Sequence, residues 1–138
     1  MSDYGQTKIH SALLEFANEP FEWGKNDCIA FTARIIERVT HINPMHILGT
    51  TYEYDTEEGA QEIIDRHGDM EGLMIHALGK PCHKWELNAG SPILANIPLV
   101  GDIAGMWLSN TAIVKSKNGV VEIGMRHIKV GWLSCLKH

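Results

Sequence analysis

Cys28 is the residue whose neighbours best suit it to chemistry. It follows Trp23-Gly24-Lys25-Asn26-Asp27 and opens an apolar run of helical period that reaches about Val39. Asn26 or Asp27 can cap a helix there, because either side chain accepts a hydrogen bond from the free N–H groups of a first turn. Cys28 then falls inside that first turn, where the helix dipole and the unpaired N–H groups favour a thiolate. The thiolate, not the thiol, is the attacking species in cysteine catalysis. The same position also suits a cysteine that only packs.

The other reactive side chains are scattered. Three cysteines (Cys28, Cys82 and Cys135) stand at wide spacings, an odd number that suggests no disulfide framework. Of the eight histidines, no two have the i, i+4 spacing of a helical metal site. Cys82-His83 with Cys135-x-x-His138 contains the types for a two-Cys, two-His zinc set. Adjacent residues cannot easily ligate one ion, however, and His138 ends the sequence, so no metal is expected. Trp23 is a candidate substrate-stacking residue or a wedge between two halves of the fold. Asp27 is a candidate substrate-binding residue or a helix cap, and Asp102 suits an Asx-type turn.

Helices must position these groups. Thr7 to Asn18 places Ile9, Leu13, Phe16 and Ala17 on one face, and Pro20 stops it. In the second helix Cys28, Phe31, Ile35 and Val39 share a face, while Ile29, Ala33 and Ile36 form another, so this helix is expected at the centre. Asn43-Pro44 and Gly49 signal breaks. Asp55 with Glu58 reads as a capping box for a helix carrying Ala60, Ile63 and Ile64 to His67-Gly68. Asp69 caps a further short helix with Met70, Leu73, Met74 and Ala77, whose methionines read as core filling.

From Lys80 the pattern changes. Leu94 to Val100 is apolar and interrupted by Pro98. After Gly101-Asp102 come four β-like runs: Ile103–Leu108, Thr111–Lys115, Val120–Ile123 and His127–Trp132. Lys117-Asn118-Gly119 is a hairpin turn in which Asn-Gly supplies positive φ. The pattern is α+β, one domain over residues 1–138: N-terminal helices, then a C-terminal antiparallel meander.

Whole-chain totals narrow the partners. Seventeen acidic against twelve basic residues give a net charge of −5, and no Lys/Arg block exists to bind nucleic acid. The chain holds no 18-residue apolar run and no basic segment followed by an apolar core near Met1. Neither membrane insertion nor a signal peptide is therefore expected, and synthesis in the cytoplasm is.

Trp23-Gly24-Lys25-Asn26-Asp27-Cys28 opening the central helix, with Gly101-Asp102 ahead of a β-meander, resembles the NlpC-type papain-like cell-wall peptidases. Chain length, Tyr52-x-Tyr54-x-Thr56 and the helix at Glu57–Arg66 look more like a small phage-tail branch of that superfamily. The resemblance spans roughly residues 7–134. It implies a papain-like fold with Cys28 as nucleophile, a base at the start of the strand after the Gly-Asp strand, and an orienting group near Glu122. The base position falls on Asn110, whose amide cannot take a proton from Cys28 near neutral pH. His127 or His83 would have to substitute.

Two functions follow from that resemblance. One is a tail-tip or tail-assembly protein with a degenerate site, made in the host cytoplasm and carried in the virion tail, touching other tail or hub proteins. The other is a cysteine hydrolase acting on peptidoglycan peptide or amide bonds. In it Cys28 attacks, a histidine takes the thiol proton, the Cys28 N–H helps bind the oxyanion, and no cofactor is required.

Overall fold

A computed structural model describes residues 3–49 and 52–133. Its helices come first: α1 (Asp3–Ala17), α2 (Cys28–Thr40), α3 (Pro44–Ile47), α4 (Glu57–Arg66) and α5 (Met70–Leu78). Five strands follow: β1 (Pro92–Ile97), β2 (Gly101–Trp107), β3 (Ala112–Ser116), β4 (Gly119–Ile123) and β5 (Ile128–Gly131). They form one antiparallel sheet in the order β4-β3-β2-β1-β5. The α+β reading therefore holds. None of the helices is long and apolar enough to cross a membrane, among the described residues.

Helix starts follow local side-chain chemistry. Asp27 caps α2 by accepting from the Ala30 N–H, and Asp69 caps α5 by accepting from the Gly72 N–H. At α4 the expected Asp55–Glu58 box does not form. Thr56 is the cap instead, its hydroxyl accepting from the Gly59 N–H at 3.0 Å. The break expected at Asn43-Pro44 is a short helix, α3, with Asn43 as cap and Pro44 in its first turn.

The sheet departs from a simple meander in two ways. Pro92–Ile97 is a fifth strand, and Ile93, Leu94 and Ala95 are all 0% exposed. A strand buried on both faces has no polar alternation, so its sequence reads as a plain apolar run. The final strand then crosses to the far edge and pairs with β1, not with β4. In the β3–β4 hairpin only Gly119 has positive φ, and the Ser116 hydroxyl braces the turn by donating to the Gly119 carbonyl.

Strand alternation gives the sheet two apolar faces. Leu94, Ala104, Met106 and Ile113 meet the helices, packing with Phe31 and Ile35 of α2, Ile9, Ala12 and Phe16 of α1, and Ile63, Leu73 and Met74 of α4 and α5. The opposite face is closed by residues from all five strands, with Leu87 and Met125 as further cover.

Gly105 sits at a tight point of this arrangement. A Cβ there would strike the Ile113 carbonyl and come within 2.6 Å of a Val114 methyl. Replacing Gly105 with Ala is expected to cost about 1–3 kcal/mol, the usual penalty for overpacking a core. Urea unfolding checks this: the midpoint should fall with an unchanged m-value.

Candidate functional site

Three polar side chains hold the entry to α2, and each does so for a backbone reason. The Asn26 side-chain amide donates to the carbonyls of Phe16, Glu19 and Pro20 at 3.2, 3.0 and 3.3 Å. From β3, the buried Lys115 ammonium donates to the Ala17 and Glu19 carbonyls at 3.3 and 2.6 Å. Together they satisfy the carbonyls left open where α1 ends. The Glu19 carboxylate is held below its usual range, chiefly by a two-pronged bond from Arg34 of α2 at 2.8 and 3.0 Å.

Asp27 is 1% exposed and accepts three hydrogen bonds. Besides the Ala30 N–H at 2.9 Å, it takes the Gly24 N–H at 2.7 Å and the Tyr54 hydroxyl at 2.7 Å. Gly24 is at φ +84°, and a Cβ on it would collide with the Tyr54 carbonyl. Glycine is thus required there twice, by its backbone angle and by the approach of the Tyr54 segment. Burial drives the Tyr54 phenol well above its ordinary pKa, reinforced by the neighbouring Asp27 carboxylate, so Tyr54 stays a donor.

Cys28 follows at the first position of α2, where β2 and β3 part. Their pairing runs from Trp107↔Ala112 only as far as Gly105↔Val114. Past that point the Ala104 backbone of β2 lies near the sulfur and acts to lower its pKa. The residue keeps some exposed surface on a cleft. Its thiol is nonetheless enclosed, and burial pushes it up to about 12, with the Asp27 carboxylate adding to the rise against the pull of the backbone N–H groups. At this helix N-terminus desolvation outweighs the dipole, so the thiolate expected from sequence is disfavoured.

The cleft has a volume of about 650 Å³ and lies between α4, the β1–β2 turn and the β3–β4 hairpin. Trp23, Ile64, Leu99 and Val121 line it, with Glu57 and Lys117 forming a 3.6 Å ion pair at its rim. Among the described residues that line it, none is a histidine.

The sequence candidates separate accordingly. Cys28, Asp27 and Trp23 come together. Trp23 lies edge-on to Phe21, ring centroids 4.9 Å apart, and Lys117 Nζ stands over its ring at 5.7 Å. It lines the cleft and belongs to neither apolar face of the sheet, so it is not the expected wedge. Asn110 is exposed in the turn before β3, whereas the cleft meets that strand from Val114 onward. Four residues of extended chain put roughly 13 Å between them.

Glu122 points away from the cleft on exposed edge strand β4, opposite Ile113. His127 accepts from Arg126 Nε at 3.3 Å and precedes Ile128, which pairs with Ala95, itself paired with Ile103. Strands two apart lie roughly 10 Å from one another, and His127 does not reach the cleft. His83 is spent locally, capping a short 3-10 turn by accepting from the Trp85 N–H.

Asp102 does not make the expected Asx turn. It bridges strands, accepting from Asn96 Nδ2 at 2.9 Å and pairing with Lys129 at 3.4 Å. Cys135 and His138 lie outside the described residues, and among the described residues no three His, Cys, Asp or Glu side chains cluster to hold a metal. Sequence reasoning missed Tyr54 and Lys115. The spacing Tyr52-x-Tyr54 carries no sign that one phenol reaches Asp27, and a lysine on an apolar strand was the available signal for the other.

A family model described as a domain of unknown function, DUF6950, matches residues 3–133. No curated protein matches the chain.

The raised thiol gives a pH dependence of definite sign. A folded pKa above the unfolded value means that stability is fully present below pH about 9 and is lost as pH rises towards about 12. Tyr54 acts in the same direction. Each group contributes a slope of at most about 1.4 kcal/mol per pH unit. Urea midpoints measured from pH 8 to pH 10.5 are expected to fall more steeply in wild type than in Cys28→Ala.

Proposed function

Because the chain belongs to the DUF6950 family over nearly its whole length, a family whose description names no activity, we propose the following reading. The protein is a phage tail-tip or tail-assembly component that uses a papain-like, NlpC-type fold as a binding module. The Trp23–Cys28 motif, the helix that Cys28 opens and the sheet that follows support it. One observation carries the choice of binding over hydrolysis: no histidine stands among the described residues that line the cleft beside Cys28, and desolvation holds its thiol neutral. Cysteine acyl transfer needs a base within hydrogen-bond reach of the sulfur, and the nearest sequence candidates stand elsewhere in the fold. Asp27, which would approach a substrate in the hydrolase reading, is instead occupied with the Gly24, Ala30 and Tyr54 donors.

In this reading the cleft recognises a protein surface. Its apolar lining supplies affinity, and the rim charges set orientation. The partners are other tail or hub proteins, and the protein travels from the host cytoplasm into the virion tail.

Incubation with purified peptidoglycan is the test. Wild type and Cys28→Ala are both expected to release no new amino groups, and purified particles are expected to contain the chain by mass spectrometry. Amine release by wild type that disappears in Cys28→Ala would establish the hydrolase instead.

A further inference from the structure

Tyr52, His67 and His76 bring three rings together away from the cleft. Tyr52 precedes α4, His67 caps the end of that helix, and His76 lies in the last turn of α5. The two imidazole centroids are 4.5 Å apart, with planes 29° from parallel. The phenol ring lies 5.7 Å from His67 and 5.9 Å from His76, at 27° and 18°. Its hydroxyl is 2.9 Å from His67 Nε2. These contacts tie the stretch before α4 to the ends of two helices. Tyr54, two residues on, is held separately by Asp27 at 2.7 Å.

The surroundings favour one proton on the histidine pair and oppose a second. Both imidazoles stand at helix C-termini, where the dipole favours a cation. A second imidazolium 4.5 Å from the first meets direct repulsion. Histidine is the side chain that changes charge between pH 8 and pH 5, so mild acid forces the conflict. Among the described residues no carboxylate forms an ion pair with either ring. On α4, Arg66 adds a further cation, its guanidinium 5.7 Å from the Tyr52 centroid, and Glu62 is paired with it at 3.0 Å. Asp65 accepts from Gln61, and Asp69 accepts from the Gly72 N–H. Glu71 stands in the first turn of α5, at the other end from His76. His46 of α3 and the exposed Glu53 share a groove with Tyr52.

We infer that this stack is an acid-sensitive latch. It stays closed while the two imidazoles share one positive charge. It parts when both are charged, freeing Tyr52 from the ends of α4 and α5. The sign follows from proton counts. The parted state binds one proton more than the closed one, so falling pH favours parting, by at most tenfold per pH unit. The latch bears on the cleft because α4, which ends in it, supplies Glu57, Gln61 and Ile64 to the lining. Mild acid therefore loosens one wall of the cleft, whatever the cleft binds.

Amide hydrogen exchange, corrected for the intrinsic rate at each pH and read by mass spectrometry, tests the latch. In wild type, the opening equilibrium of peptides spanning Tyr52 and the ends of α4 and α5 is expected to rise about tenfold from pH 6.5 to pH 5. His67→Gln and His76→Gln each leave a single imidazole, and the new amide carries no charge. Both should lose that rise while keeping the wild-type circular dichroism at pH 7.5. His46→Gln, outside the stack, should retain it. If one stack variant fails to fold, the other carries the comparison. Protection at Tyr52 that is equal at pH 6.5 and pH 5 in wild type overturns the latch. So does a rise of the same size in wild type and in the folded stack variants.

Discussion

The Asp27 carboxylate is the contact on which the rest of the site depends. One buried side chain ends the Trp23-Gly24 turn, starts α2 and holds the Tyr54 segment, through three donors at 2.7 to 2.9 Å. Hydrogen bonds to a charged acceptor contribute about 1.5–3 kcal/mol each, and a buried charge without them is costly. The three elements are therefore placed together or not at all. Their joint position fixes where Cys28 meets the sheet and how the cleft opens between α4 and the hairpins.

That placement also decides the chemistry. A helix N-terminus favours a thiolate only where the sulfur stays hydrated or gains a cation. Here it is wedged where β2 and β3 separate, next to a carboxylate. Burial outweighs the dipole, and the side chain behaves as a small apolar residue. The motif that favours a thiolate on an open site is opposed by desolvation on this one. What remains usable is the cleft wall: Trp23, Leu99, Val100 and Val121.

How much of this was legible in the sequence follows from how local each cause is. The starts of α2 and α5 could be read because a cap and its N–H partner stand three residues apart. The β3–β4 hairpin could be read from Asn118-Gly119. By contrast β1 left no alternation because both of its faces are buried, and β5 could not be placed because its partner is set by which strand edge is open. The Asn110 assignment failed to reach Cys28 for a related reason. A residue pattern tells which stretch is a strand, but not which end of it a helix N-terminus abuts. Tyr54 and Lys115 act across 27 and more than 90 residues of sequence, where no spacing rule operates.

The central claim is that Cys28 is a desolvated, neutral thiol with no histidine among the described residues that line its cleft. Its alkylation by iodoacetamide, followed by peptide mass mapping to separate it from Cys82 and Cys135, tests that most directly. The account predicts a slow reaction in the native protein, with a rate that keeps rising above pH 9 and is the same in His127→Ala and His83→Ala. A rate that levels off near pH 7 and collapses in either histidine variant would contradict it.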